Sequence, residues 1–318
     1  MVNPLVSVIC LCYNHERFVR EALESVFSQT YPNIEVIVVD DASTDKSRDV
    51  ITQTLRLHPD AKVRFLENNV GICRAFNGGW GMATGEFVVD FSTDDVLLPE
   101  RIEKQVRYFQ TAGNNHGVVF TDAIYINENG QEIRRHFDYL RKHKWVDRIP
   151  EGDVYAHVVE RFFIPAPTML VRIEVLRALG GYDEALAYED FDFWVRSSRE
   201  FSYGFLNEFL TKIRVSAPSM SRKLYTVGDR QAHSTYLICR KIAHLNRNER
   251  EVEAFHQRLR YELRHCALTG NSEEAELFYR LLVETGKPDL FSTMLIRISK
   301  AGRSLTWLRR LYHWLKYR

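Results

Sequence analysis

Short apolar runs alternate along this chain with segments of helical periodicity. Leu5 to Cys12 is an apolar run that ends in Tyr13-Asn14-His15 and predicts a buried strand. Phe18, Ala22, Leu23, Val26 and Phe27 then recur at helical spacing from about Glu16 to Gln29, until Tyr31-Pro32-Asn33 breaks the pattern. The β-branched run Ile34 to Val39 leads into Asp40-Asp41-Ala42-Ser43-Thr44-Asp45, and Ser47 to Leu57 reads as the next helix. Val63 to Leu66 predicts a third strand, Gly71 to Ala83 a third helix, and Phe87 to Phe91 a fourth strand. This alternation predicts an α/β fold with a largely parallel, doubly wound sheet and helices on both faces. The Gly-x-Gly-x-x-Gly that marks dinucleotide-binding sheets of this plan is absent after the first strand.

The pattern is less regular further on. Val118 to Tyr125 predicts a strand, Asn127 to Gly130 a turn, and Glu132 to Tyr139 a hairpin return or loop. A basic stretch from Arg141 to Arg148 carries no element signal. Thr168 to Val171 predicts a strand, and a helix through Val175 and Leu176 stops at Gly180-Gly181. Phe191, Trp194 and Val195 form an i, i+3, i+4 apolar face, with Glu189, Asp190 and Asp192 crowded at the start of that helix. Carboxylates there suit the helix dipole whatever else they do. Val227 to Leu245, Glu249 to Leu268 and Ser272 to Thr285 read as three helices, closed by Gly286 and Pro288. The expected organisation is an α/β domain over 1–215 and a helical accessory region over 216–318.

Composition adds limits. With 45% hydrophobic and 27% charged residues the chain is an ordinary globular protein, and a formal charge of +1 gives no reason to expect nucleic acid. Five cysteines make no paired framework, and Cys10 and Cys12 on an apolar strand read as buried thiols, which suits a reducing cytosol. No basic-then-apolar leader and no apolar run of about 18 residues is present, so a cytoplasmic protein is expected. Acidic residues are absent after Leu290. From Leu305 to Lys316, Leu305, Trp307, Leu308, Leu311, Tyr312, Trp314 and Leu315 share one half of a helical wheel opposite Arg309, Arg310, His313 and Lys316. Residues 303–318 thus offer two readings: a basic amphipathic helix lying on the inner surface of an anionic membrane, or a stripe packed on protein.

The chemistry concentrates where the fourth strand runs into Asp94-Asp95. Ligands of open α/β sheets bind beyond the carboxyl ends of strands, and a vicinal carboxylate pair offers hard oxygen ligands for Mg²⁺ or Mn²⁺. The competing reading is that Asp94 or Asp95 caps the helix running from Pro99 and Glu100 to Phe109.

An ordered set of motifs narrows this: Val6 to Ile9 with Tyr13-Asn14, Ser28-Gln29-Thr30-Tyr31-Pro32, Val39-Asp40-Asp41-Ala42-Ser43-Thr44-Asp45, Asn69-x-Gly71 with Ala75-x-Asn77, Gly85-Glu86 with Thr93-Asp94-Asp95, Gly181-Tyr182-Asp183-Glu184, and Glu189-Asp190. In this order and spacing the set resembles the family-two glycosyltransferases of GT-A (Rossmann-like) fold, over about residues 4 to 221. The resemblance implies an inverting, metal-dependent transferase that moves a sugar from a nucleotide diphosphate, most often UDP, to a hydroxyl of a glycan or lipid-linked acceptor in surface polysaccharide or glycolipid synthesis. The alternative is a degenerate member that binds nucleotide sugar or glycan without turnover. The resemblance places Tyr13 against uracil, Asp41 on the base, Asp94 on the ribose, Asp95 on a divalent metal (Mn²⁺ or Mg²⁺), and Asp190 as catalytic base. Arg74 is a further nucleotide-pocket candidate, with an exposed helix-face arginine as the competing reading, and Glu189 a candidate for positioning the acceptor. Two positions depart from the family pattern: Ser92 stands where a further Asp is frequent, and Arg214-Val215-Ser216 stands where many members have Arg-x-His.

Overall fold

Every residue of Val6–Cys12 (β1) is buried, as a strand covered on both faces must be. In the computed structural model, which describes residues 3–113, 115–215, 228, 230–286 and 288–300, β1 is the centre of a parallel array. It is followed by α1 (Val19–Phe27), β2 (Ile34–Asp40), α2 (Ser47–Leu55), β3 (Lys62–Phe65), α3 (Ile72–Trp80) and β4 (Phe87–Ser92). β2 and β4 flank β1 and β3 flanks β2, all in parallel. Alternate residues of β1 serve opposite faces. Val8 and Cys10 join Leu23 and Val26 of α1 in one core, while Ile9 meets α3 on the other face. That second approach is close enough to need glycine, since a Cβ on Gly79 would lie 2.6 Å from Ile9 Cγ2.

The chain continues through β5 (Val96–Leu97), α4 (Arg101–Thr111), β6 (His116–Ile126), β7 (Glu132–Arg135), α5 (His136–Lys142), α6 (Tyr155–Glu160), a 3-10 turn (Ala166–Thr168), β8 (Leu170–Arg172), α7 (Ile173–Leu179), α8 (Asp190–Ser197), β9 (Ser202–Arg214), α9 (Arg230–Leu245), α10 (Glu249–Thr269), α11 (Ser272–Thr285) and α12 (Leu290–Lys300). The nine-stranded sheet has the order β3-β2-β1-β4-β8-β6-β9-β5, with β7 paired to β6. Its first four strands are parallel, and β6 and β9 are parallel to each other. β8 runs antiparallel between β4 and β6, and β5 antiparallel on β9. This is the α/β plan expected from the sequence. Three local readings change. Glu132–Arg135 makes the expected hairpin return onto β6 but His136 to Tyr139 is helical, a long strand occupies Ser202–Arg214 beyond those expected, and a fourth C-terminal helix covers Leu290–Lys300.

The chain groups into two units. Met1–Val154, Phe163–Glu184 and Arg196–Ser216 form the sheet unit. Tyr155–Phe162, Ala185–Val195 and Ala217–Arg318 form the second, helical unit. In the sheet unit, the amino end of the sheet is tied around Glu35, which accepts from Ser7 Oγ, Lys62 Nζ, the Thr84 hydroxyl and the N–H groups of Thr84 and Gly85. Gly85 is required there because a Cβ would fall 2.6 Å from Ser7 Oγ and 2.8 Å from the Leu5 carbonyl. In the helical unit, α9 and α10 hold the segment 185–195. Ser234 Oγ accepts from Ala187 N–H, Tyr188 and Thr235 share a 2.6 Å hydrogen bond, and Lys241 pairs with buried Asp192 at 2.6 Å. The buried Arg258 guanidinium lies over the rings of Phe162 and Phe191, bonds to the Val159 carbonyl and pairs with Glu262.

Candidate active site

β1 has β2 on one side and β4 on the other, so the strand order reverses there, and in open α/β sheets such a reversal is where ligands bind beyond the carboxyl ends of the strands. Tyr13 leaves β1 with 46% of its surface exposed, free to present an aromatic face. The next residue, Asn14, has φ 58°, a left-handed value that asparagine tolerates. Its backbone N–H reaches Ser43 Oγ, its side chain accepts from Thr44 N–H, and the next two N–H groups reach Ser47 Oγ and an Asp45 oxygen. The polar residues after Asp41 therefore serve as struts that fix the Tyr13 loop. Asp41 is buried, and its carboxylate accepts from the N–H groups of Val70 and Gly71 at 2.7 and 3.0 Å. It orders the 69–71 loop, and its remaining lone pairs can still accept one N–H from a ligand.

The Asp94-Asp95 pair does not cap α4. β5 lies between them and that helix, whose N-cap is Glu100. The two carboxylates instead sit in a tight turn held by a residue 119 positions away. The Arg214 backbone N–H donates to Asp95 Oδ1 at 2.7 Å, and its guanidinium, itself buried, donates to the carbonyls of Asp94, Asn127 and Glu128 and pairs with Glu21 at 2.6 Å. Asp94 accepts from Ser92 Oγ, so the serine in place of a further Asp serves as a strut for its neighbour. His15 reaches the same turn. Thr93 Oγ1 donates to the Leu11 carbonyl and so accepts from His15 Nδ1, and His15 Nε2 lies 4.0 Å from Asp94 Oδ2. Asp95 is almost fully buried, and burial and the Asp94 charge push its carboxyl well above the usual range, against the Arg214 N–H and the charges of Arg101 and Arg214. No described residue donates to its Oδ2. On the far side of β9, Tyr125 pairs in register with Ile213; burial lifts its phenol, Arg134 opposes this, and the carboxylates of Asp95 and Asp122 add to it.

The other candidates sit on or beside helices. Arg74 is on the exposed face of α3, 3.5 Å from Glu184, so the surface reading describes its position. Asp190 and Glu189 belong to the helical unit. Asp190 is the first residue of α8, its Oδ1 accepting from Phe191 N–H at 2.7 Å, and burial pushes its carboxyl up to about 6. Glu189 contributes its carbonyl to the first turn, bonded to Phe193 N–H. Asp192 is committed to Lys241. Ser216, and with it the end of the Arg-x-Ser sequence, lies outside the described residues, as does the amphipathic segment Leu305 to Lys316. Among the described residues no helix is long and apolar enough to cross a membrane.

No cluster of three or more His, Cys, Asp or Glu side chains suited to a metal exists among the described residues. A buried carboxylate with one oxygen uncommitted nevertheless fits a hard cation that keeps most of its shell in water and phosphate oxygens.

The family model described as Glycosyl transferase family 2 matches residues 7–178. EpsE of Bacillus subtilis, named as a glycosyltransferase, is 30% identical over 246 residues, which span 76% of this chain and 84% of that protein. An uncharacterized glycosyltransferase of Methanocaldococcus jannaschii is 27% identical over 249 residues, 75% of this chain and 79% of its own. Among solved structures, S. aureus TarS 1-349 in complex with UDP-GlcNAc matches with a TM-score of 0.68 at 20% identity, over 88% of this chain and 80% of that TarS fragment. The mannosyltransferase PcManGT from Pyrobaculum calidifontis, in complex with GDP-Man and Mn²⁺, matches with a TM-score of 0.61 at 18% identity, over 100% and 85%. These likenesses define the fold class, the GT-A sheet. The chain belongs to glycosyl transferase family 2.

Proposed function

We propose that the chain is a metal-dependent, inverting transferase moving a hexosyl or N-acetylhexosaminyl unit from a nucleotide diphosphate sugar, UDP-linked in the first instance, to a hydroxyl of a glycan or lipid-linked acceptor in surface polysaccharide or glycolipid synthesis. The observation that carries the reading is the Asp94-Asp95 turn at the strand-order reversal, with Asp95 Oδ2 uncommitted. TarS with UDP-GlcNAc and PcManGT with GDP-Man and Mn²⁺ support nucleotide sugar as the donor class.

In this reading Tyr13 stacks on the base, Asp41 accepts one base N–H, and Asp94 with His15 takes the ribose hydroxyls. Arg74 is left as a rim residue able to exchange Glu184 for a phosphate. Asp95 would hold a divalent cation, which when bound supplies positive charge for the diphosphate leaving group. Asp190 takes the proton of the acceptor hydroxyl as the new oxygen–carbon bond forms and the bond from the anomeric carbon to the diphosphate breaks, the electron pair leaving with the diphosphate. Glu189 orients the acceptor. A carboxyl at about 6 is ionised at neutral pH yet more basic than an ordinary aspartate, which suits this task.

The test is product analysis with a panel of UDP- and GDP-sugars in Mn²⁺ and a mixture of glycan acceptors. Release of nucleoside diphosphate is expected. Pyrophosphate release would point to nucleotidyl transfer, and binding without any release would point to a catalytically degenerate nucleotide-sugar protein.

A further inference from the structure

Beside the Asp94-Asp95 turn, β6, β7 and α5 gather aromatic rings around one arginine. The Arg134 guanidinium lies 4.3 Å from the ring centre of Tyr125 and 4.2 Å from that of Tyr139, sandwiched between the two. His143 tilts against Tyr139 with ring centres 4.1 Å apart, and Trp145 meets Tyr139 edge-on at 5.8 Å. His136 locks Tyr125. Its Nε2 donates to the Phe163 carbonyl at 2.8 Å, which leaves Nδ1 to accept from the Tyr125 hydroxyl at 3.3 Å. Burial, aided by the Arg134 charge and opposed by the Phe163 carbonyl, holds His136 down at about 4, so it is neutral and adds no second cation.

We propose that Arg134 recognises a negatively charged group, phosphate or carboxylate, on the acceptor. This rests on the transferase reading above and names the acceptor's chemical class. Three features carry it. The guanidinium is half-buried and makes no ion pair with a described residue, whereas its neighbours Arg135 and Arg141 pair with Glu132 and Asp138. Rings of Tyr125 and Tyr139 cover its faces and the Tyr125 hydroxyl takes one of its N–H groups, so the remaining in-plane N–H donors are the part that can meet a ligand, the geometry that matches a carboxylate or phosphate. The surrounding stretch 131–148 carries six Lys or Arg against three Asp or Glu, and the half-buried rings of Tyr139, His143 and Trp145 pack on one another within it. The position suits an acceptor subsite. Tyr125 lies two residues before Asn127, whose carbonyl is held by the same Arg214 that fixes Asp94 and Asp95.

The experiment is calorimetry on the full chain with matched small probes: glycerol 3-phosphate and galacturonate as anions, glycerol and galactose as their neutral counterparts. Wild type, Arg134→Gln and Arg134→Lys are compared, and UDP with Mn²⁺ is titrated into each preparation. At least one anion should bind wild type about 10-fold more tightly than its neutral partner and lose that advantage in Arg134→Gln. Arg134→Lys should retain part of it, and UDP binding should not change. Equal binding of anion and neutral probe to wild type, or an anion preference that survives Arg134→Gln, overturns the proposal. If Arg134→Gln does not fold, the wild-type ratio and Arg134→Lys decide in the same way. The two anions separate a phosphate-bearing from a uronate-bearing acceptor. Failure of UDP to bind any preparation would count against the transferase reading, independently of the anion result.

Discussion

A carboxylate of ordinary basicity is a poor general base, and Asp190 is not ordinary. Its place in the first turn of α8 burial-shifts the carboxyl to about 6, while its hydrogen bond from Phe191 N–H keeps it oriented. If it is the base, Asp190→Asn should lower transfer by about 10²–10⁴, equivalent to roughly 3–5 kcal/mol of barrier, with donor affinity nearly unchanged. Because the base must be ionised, wild-type turnover should fall as pH drops through about 6. Steady-state rates from pH 5 to 8, with UDP binding as the control for folding, check both. A folded Asp190→Asn with near-wild-type turnover would move the role to Glu189, since Asp192 is buried against Lys241. At this scale the sequence was partly legible. The aspartates stood out because each ends an apolar run or starts a helix, a local signal. His15 did not, and Arg214 stood out only as the start of a motif, not for what it holds. The worth of Arg214 lies in contacts with Glu21, Asp94 and Asn127, far from it in the chain, and a His beside Thr93 exists only once β1 and β4 lie side by side.

Among the elements, strands with unbroken apolar runs were readable to within a residue or two, and those without were not. Ser202–Arg214 alternates poorly because its pairing with β6 shifts register around Asp122, so its inward and outward positions do not follow a period of two. The helix at His136–Lys142 has seven residues, too few to display a period. The parallel strands themselves are clamped at their amino end by Glu35. Burial there disfavours ionisation, but the donors from Ser7, Lys62 and Thr84 outweigh it and hold the carboxyl at about 2. Since the folded-state value is depressed, the stabilisation is fully present above the unfolded value of about 4.3 and is lost as pH falls toward 2. Glu35→Gln should cost about 1–3 kcal/mol at pH 7 in urea unfolding, with the gap to wild type closing on acidification. A gap that stayed constant or widened at low pH would remove Glu35 from this role.

For the whole molecule, the α/β plan followed from the order of elements, whereas the grouping of residues 155–162 and 185–195 with the C-terminal helices did not. Nothing local distinguishes a segment that packs on α9 and α10 from one that packs on the sheet. The basic amphipathic stretch at 303–318 bears on where the protein works. If it lies on an anionic surface, liposomes rich in acidic lipid should co-sediment the full chain and leave a 1–302 truncation in the supernatant. Unchanged sedimentation after truncation would assign that stripe to protein contacts.

Asp41 and Asp95 divide the binding of the donor, one reading the base and the other holding the metal, in the function proposed above. Calorimetric titration of UDP into wild type, Asp41→Ala and Asp95→Ala, once in Mn²⁺ and once in EDTA, reads it directly. Asp41→Ala should weaken UDP under both conditions, whereas Asp95→Ala should lose only the part that Mn²⁺ adds. Equal losses for the two variants in Mn²⁺ and in EDTA would contradict a base-reading Asp41 and a metal-holding Asp95.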